Sequence, residues 1–140
     1  MVAVPALTDL VRDQRIKTAG FDVYASLIFA RSEAIKRSAA VDICPTVAGA
    51  GNWASGWQVQ LSPCGAALKK QDPINGISIS GPAAAFSYQR DGRIAGNAPP
   101  TFVLWSPQNT AVTARCVQVD LSGRPTIKVD TNHDPDDGCQ

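Results

Sequence analysis

Catalysis by a side-chain base needs a histidine or a carboxylate held against a nucleophile, and no such convergence stands out in this chain. His133 is its single histidine and Glu33 its single glutamate. His133 stands among Asn132, Asp134 and Pro135, where a solvated turn is the plain reading. Glu33 falls within Ala30-Arg31-Ser32-Glu33-Ala34-Ile35-Lys36-Arg37, whose spacing is that of a salt-bridged helix face. No G-x-x-x-x-G-K-[ST] or G-x-G-x-x-G stretch is present to cradle phosphates. The expectation is a chain that is not an enzyme and carries no cofactor.

Four other groups of residues could bind rather than react. The tail Asp130-Thr131-Asn132-His133-Asp134-Pro135-Asp136-Asp137 sets oxygen ligands at alternate positions, as calcium loops do. Pro135 stands where such a loop needs glycine, so calcium is the alternative to a tail without metal. Cys44, Cys64, Cys116 and Cys139 include no C-x-x-C pair, which argues against zinc and for two disulfides in an oxidising compartment. Four cysteines allow three connectivities; pairing neighbours along the chain gives Cys44–Cys64 and Cys116–Cys139, each closing a loop of roughly 20 residues. Finally, Arg115, Arg124 and Lys128, with Arg90 and Arg93, would form a basic strip for phosphates if their strands lie side by side. Trp53, Trp57 and Trp105 suggest a base-stacking platform, although Trp57 at a strand start suits a core and Trp53 in a Gly-rich loop suits a covered sheet edge.

Positioning these groups falls to one helix and a set of short strands. Between Pro5 and about Ser38 the only breaker is Gly20, and Leu7, Leu10, Val11, Phe21, Tyr24, Ala25, Ile28 and Ile35 recur at helical spacing. Pro5 suits the first turn; Arg31, Lys36 and Arg37 suit the last. Such a helix is roughly 50 Å long, more than a domain of this size buries. Its first half is expected to project and Phe21 to Ile35 to pack, with Gly20 as a bend or close-packing point. Beyond residue 40, β-like runs alternate with turn signals: Val41–Cys44, Trp57–Leu61, Ile77–Ser80, Ala85–Gln89, Thr101–Leu104, Ala114–Asp120 and Thr126–Val129. Val117, Val119 and Leu121 alternate with Gln118 and Asp120, a half-buried antiparallel pattern. The fold class is α+β, a single domain over 1–140: helix to 38, antiparallel β-sheets over 41–129 and a disulfide-tethered tail over 130–140.

Several stretches carry a resemblance. Ala30 to Arg37 is followed by Ile43-Cys44-Pro45 and Asn52-Trp53-Ala54-Ser55-Gly56-Trp57. Further on come Asp91-Gly92-Arg93, Arg115-Cys116-Val117, Ser122-Gly123-Arg124-Pro125 and a cysteine near the C-terminus. In this order they resemble the GspH/FimT-like minor pilins and pseudopilins over nearly the whole chain. The resemblance implies a helix packed on two β-sheets, no catalytic site, and a cleaved leader and apolar anchor helix before Val2. It also implies inner-membrane anchoring with a periplasmic domain, then assembly with major and minor pilins or pseudopilins into a pilus or pseudopilus. FimT-like members are associated with DNA uptake through a C-terminal G-R-x-R stretch. Gly123-Arg124-Pro125 matches its start, Thr126 replaces the second arginine, and Lys128 is the next basic residue. Double-stranded DNA bound without sequence preference is thus the expected ligand of Arg124 and Lys128, with type II secretion as the alternative setting and a free periplasmic binding module as a further one.

Overall fold

The computed structural model describes residues 3–131, with side chains from Leu7 onward. Among the described residues one α-helix, α1 (Ala3–Arg37), leads into eight strands, with a 3-10 turn at Trp53–Ser55: β1 (Val41–Pro45), β2 (Trp57–Leu61), β3 (Ala67–Gln71), β4 (Ser78–Ser80), β5 (Phe86–Tyr88), β6 (Thr101–Trp105), β7 (Arg115–Val119) and β8 (Pro125–Val129). They form two antiparallel sheets, ordered β3-β2-β1-β5 and β4-β6-β7-β8. The helix packs on β1 and β5 of the first sheet and on β6, β7 and β8 of the second. This is the expected helix over two antiparallel sheets.

Seven strands fall where the sequence placed them; β3 is additional. Ala67-Leu68-Lys69-Lys70-Gln71 lacks β-branched residues, so nothing local marks it as extended. It forms because β2 offers it an edge, and its lysines keep the new edge from pairing further.

The helix packs by a different face than its large apolar residues suggest. Ile16, Ala19, Val23, Leu27, Ala30 and Ala34 follow one another at steps of three and four, and all are buried in the core. Three alanines on this face let the helix axis approach the sheets closely. The segment Phe21 to Ile35 packs as expected, but through Val23, Leu27, Ala30 and Ala34; Phe21 is 64% exposed, Ile28 39% and Ile35 47%, away from that face. Packing also begins earlier than expected, at the fully buried Ile16, while Asp9 accepts a hydrogen bond from Asn109 Nδ2 at 2.9 Å. Gly20 is not a close-packing point, because an added Cβ would meet nothing within 4 Å and α1 continues through it. No helix of the described residues is long and apolar enough to cross a membrane.

Between helix and sheets the core gathers Val41, Ile43, Trp53, Trp57, Val59, Ile79, Tyr88, Phe102, Leu104, Val117 and Val119. Trp53 does not merely cover an edge: its indole meets Phe102 edge-on at 4.9 Å and donates to Pro82 O at 2.8 Å. Trp57 Nε1 donates to the buried Ser26 hydroxyl at 2.9 Å, tying β2 to α1. With Trp53 and Trp57 both buried, they form no base-stacking platform. On β7, Val117 and Val119 are buried as the alternation predicts, but the strand ends there and Leu121 is an exposed turn residue.

Candidate nucleic-acid interface

Two turns bearing arginines come from different sheets and meet at the end of the helix. After β5 the chain reverses through Gln89 to Arg93, where Gln89 N donates to Arg93 O at 2.7 Å and Gly92 N to Gln89 O at 2.8 Å. Between β7 and β8 it reverses through Asp120 to Arg124, with Gly123 N donating to Asp120 O at 2.9 Å. Ile94 N bridges the turns by donating to Leu121 O at 3.2 Å, and the buried Tyr88 hydroxyl donates to Gly123 O at 3.0 Å. From α1, Arg31 Nε donates to Gly92 O at 3.0 Å.

This junction needs two glycines. Gly92 and Gly123 both lie in the left-handed region, at φ of 83° and 90°. A Cβ on Gly123 would stand 2.0 Å from Gly92 O, and one on Gly92 would stand 2.7 Å from Ile35 Cδ1. Each turn is thus shaped by its own hydrogen bonds and held by the other's backbone.

The charges follow from that geometry. Arg90, Arg93 and Arg124 are exposed, while Arg31 is half-buried behind them. The two acidic residues present are occupied by the turns: Asp91 Oδ1 accepts Arg93 N–H at 3.1 Å, and Asp120 Oδ1 accepts Arg124 N–H at 3.0 Å as well as the Ser122 hydroxyl. The Ser122 hydroxyl, followed by the Arg124 amide, holds the Asp120 carboxyl below its usual range. Arg90, Arg93 and Arg124 thus reach solvent beside the equally exposed Asp91 and Asp120, and their guanidinium forks suit bidentate contact with phosphates.

Of the five predicted basic residues, the fold brings together Arg90, Arg93 and Arg124 and separates the other two. Arg115 pairs with Val129 and shares the helix side of its sheet with Val117 and Val119, at the far end of β7 from the junction. It lines a cleft with Asp9, Asp13 and Thr113 instead. Lys128 pairs with Cys116 on the opposite face, about 13 Å along β8 from Arg124 at the usual rise per residue. The expected single strip is therefore replaced by a compact junction, because strand alternation sends Arg115 and Lys128 to opposite faces. Sequence reasoning missed Arg31 and Tyr88 as parts of this site. The Asp-Gly and Ser-Gly turn signals were visible, but nothing local says that the turns touch.

Cys44 and Cys64 are disulfide-bonded as expected, with Cα atoms 6.3 Å apart. Cys116 is also disulfide-bonded, and Cys139 lies outside the described residues, as do His133 and the rest of the Asp130–Asp137 tail proposed for calcium beyond Thr131; Asp130 itself is described and buried. Glu33 accepts from Arg37 Nε at 2.7 Å, which holds its carboxyl below the ordinary range and accounts for it as helix surface.

No curated protein matches this chain. Among solved structures, its fold is similar to the type IV minor pilin FimU of Pseudomonas aeruginosa in two crystal forms. The P65 form has TM-score 0.69 at 20% identity, covering 89% of this chain and 99% of that one. The P21 form has TM-score 0.72 at 19% identity, covering 91% and 96%. It is also similar to the minor pseudopilin EpsH from the type 2 secretion system of Vibrio cholerae, with TM-score 0.62 at 15% identity, covering 81% and 96%. At sequence level the model of the family described as type II transport protein GspH matches residues 21–123, from the middle of α1 through the Gly92–Gly123 contact. The packed helix face from Val23 onward, the first sheet and strands β4, β6 and β7 of the second fall within that match, and the chain belongs to the GspH family of minor pilins and pseudopilins.

Proposed function

We propose that this chain is a minor pilin of a type IV pilus, a structural or priming subunit that also holds double-stranded DNA at the junction of its two arginine-bearing turns. The observation that supports the DNA reading most is the Gly92–Gly123 contact, which joins the backbones of the two turns that carry Arg90, Arg93 and Arg124. Non-specific DNA affinity needs only positive charge held within reach of phosphates, and the group supplies three such charges on turns whose backbone is already ordered. Assembly with other pilins is supported by a separate surface, the exposed stripe of Leu7, Leu10, Val11, Phe21 and Ile28 on α1, which the chain's own sheets leave uncovered.

Fluorescence anisotropy with a short DNA duplex tests this reading. Three phosphate contacts give a slope of log K against log salt of about −2.7, a loss of roughly 40-fold between 50 and 200 mM. Arg93→Ala/Arg124→Ala should bring the slope to about −0.9, whereas Lys128→Ala should change it less. A slope that the double substitution leaves unchanged sinks the proposal. In that event the alternative is a pseudopilus subunit of a type II secretion system, supported by the fold shared with EpsH and by the same helix stripe.

A further inference from the structure

The loop between β3 and β4 carries Asn75-Gly76, a pair that the assembly and DNA readings do not use. A side-chain amide followed by glycine is open to attack by the glycine's own backbone nitrogen, because no Cβ shields that nitrogen. Whether the attack occurs depends on what already holds the two groups, and the fold treats each asparagine differently. Asn52 donates from Nδ2 to Ala48 O at 2.7 Å, while Asn109 donates to Asp9 at 2.9 Å and accepts the Ala111 N–H at 3.0 Å. Asn97 is followed by alanine. Asn75 is exposed, and among the described residues neither its side-chain amide nor the Gly76 N–H has a hydrogen-bond partner. Asp91-Gly92, the comparable pair in the arginine junction, is held: Gly92 N donates to Gln89 O at 2.8 Å and Asp91 Oδ1 accepts the Arg93 N–H at 3.1 Å.

We propose that Asn75-Gly76 is a site of spontaneous deamidation, assisted by Arg15 of α1. A Cβ on Gly76 would stand 2.6 Å from Arg15 Nη1, so the guanidinium lies against the peptide unit that reacts. Arg15 forms no ion pair among the described residues. Its charge therefore faces the negative charge that develops as the nitrogen attacks. Gly76 has a φ of 84°, and this left-handed backbone together with the approach of Arg15 requires glycine at the position. The loop is pinned on both sides, by Ile74 N donating to Ala54 O at 2.8 Å and by Ile77, which is buried in the core. Helix and loop thus keep Arg15 beside Gly76.

The reaction consumes only water. The Gly76 nitrogen gives up its proton and bonds to Asn75 Cγ, and the side-chain nitrogen leaves as ammonia with that proton, closing a succinimide ring. Water then opens the ring at either carbonyl, giving aspartate or, with the chain running through the side-chain carbon, isoaspartate. Both products carry a carboxylate beside Arg15. The formal net charge of the chain falls from +1 to zero, a state in which proteins associate more readily. Arg15 and Ile74 also line the groove along the exposed helix stripe with Leu10 and Val11, so the new charge stands at the rim of that surface.

The test incubates the whole chain in mildly alkaline buffer and follows it by cation-exchange chromatography and peptide mass spectrometry. The expected result is a less basic species that accumulates with time, whose change from amide to acid maps to Asn75 before any other asparagine. Asn75→Gln should prevent it. Arg15→Gln should slow it roughly fivefold, the factor that two unit charges about 4 Å apart carry in water, and Arg15→Lys should restore most of the rate. Unfolding in urea separates Arg15 from Gly76 and should erase the difference between the natural chain and Arg15→Gln, which distinguishes assistance by the fold from the reactivity of the dipeptide itself. Asn75 and Arg15 are both exposed, so these substitutions leave the core intact. A chain that keeps its Asn75 amide, that deamidates first elsewhere, or that loses the amide at the same rate with Arg15→Gln overturns the proposal.

Discussion

Tyr88 shows how much of the junction depends on single atoms. Its ring is fully buried between the sheets, and its hydroxyl donates to Gly123 O, which in turn needs the absence of a side chain at 123. Tyr88→Phe removes the donor and leaves a carbonyl unsatisfied, a cost of about 1–2 kcal/mol at neutral pH. Burial also pushes the phenol's pKa well above its ordinary value of 10.0. The folded chain then keeps a proton that the unfolded chain gives up. That contribution is fully present below pH 10 and is lost progressively as pH rises beyond it. Urea melts at pH 8 and pH 10.5 should show a steeper alkaline loss for the natural chain than for Tyr88→Phe; equal losses would count against this role. At the same scale, Gly123→Ala combines a left-handed backbone with a carbonyl at 2.0 Å from its new Cβ and should cost about 2–4 kcal/mol in the same melts.

At the scale of elements, most strands could be read from their alternation and turn residues, because each reports its own half-buried pleat. What escaped was relational. Strand β3 exists only because β2 offers it an edge. The helix face was misjudged because Phe21, Ile28 and Ile35 are larger than the alanines that pack, and size outweighs position in any count of apolar residues. Similarly, the basic residues could be named from the sequence, but grouping them required sheet order, which moved Arg115 and Lys128 apart. The misjudged face carries the prediction. If the outer stripe of α1 serves neighbouring subunits, Phe21→Asp/Ile28→Asp should leave the unfolding free energy of the isolated chain within about 0.5 kcal/mol. The same change should remove its incorporation into filaments, scored by recovery of the chain with sheared pili. A variant that melts early or still assembles would count against the division between a packed face and an assembly face. An apolar groove of about 390 Å³ beside this stripe, lined by Leu10, Val11, Thr18, Ala19 and Ile74, extends the same surface toward the first sheet.

For the whole molecule, the consequence is that the arginine group proposed to hold DNA exists only while both sheets stay docked on α1. Arg93 leaves the first sheet, Arg124 lies between two strands of the second, and Arg31 fixes Gly92 from the helix. No segment of the chain brings them together alone, unlike a basic tail that would bind phosphates when unfolded. Loss of DNA affinity in urea should therefore coincide with the loss of near-ultraviolet signal from the buried tryptophans, in one cooperative transition. The Cys44–Cys64 bond supplies an independent lever, since it closes a loop spanning 20 residues in sequence and lies on the outer face of β1, apart from every arginine of the junction. Removing it should lower stability by about 3 kcal/mol, mainly through the freedom regained by the unfolded chain. Cys44→Ala/Cys64→Ala should thus shift both urea transitions to lower concentration by the same amount while leaving DNA affinity in buffer unchanged. Affinity that survives past the tryptophan transition would place binding on unfolded basic segments. A drop in buffer without a matching loss of stability would mean that the disulfide shapes the junction directly.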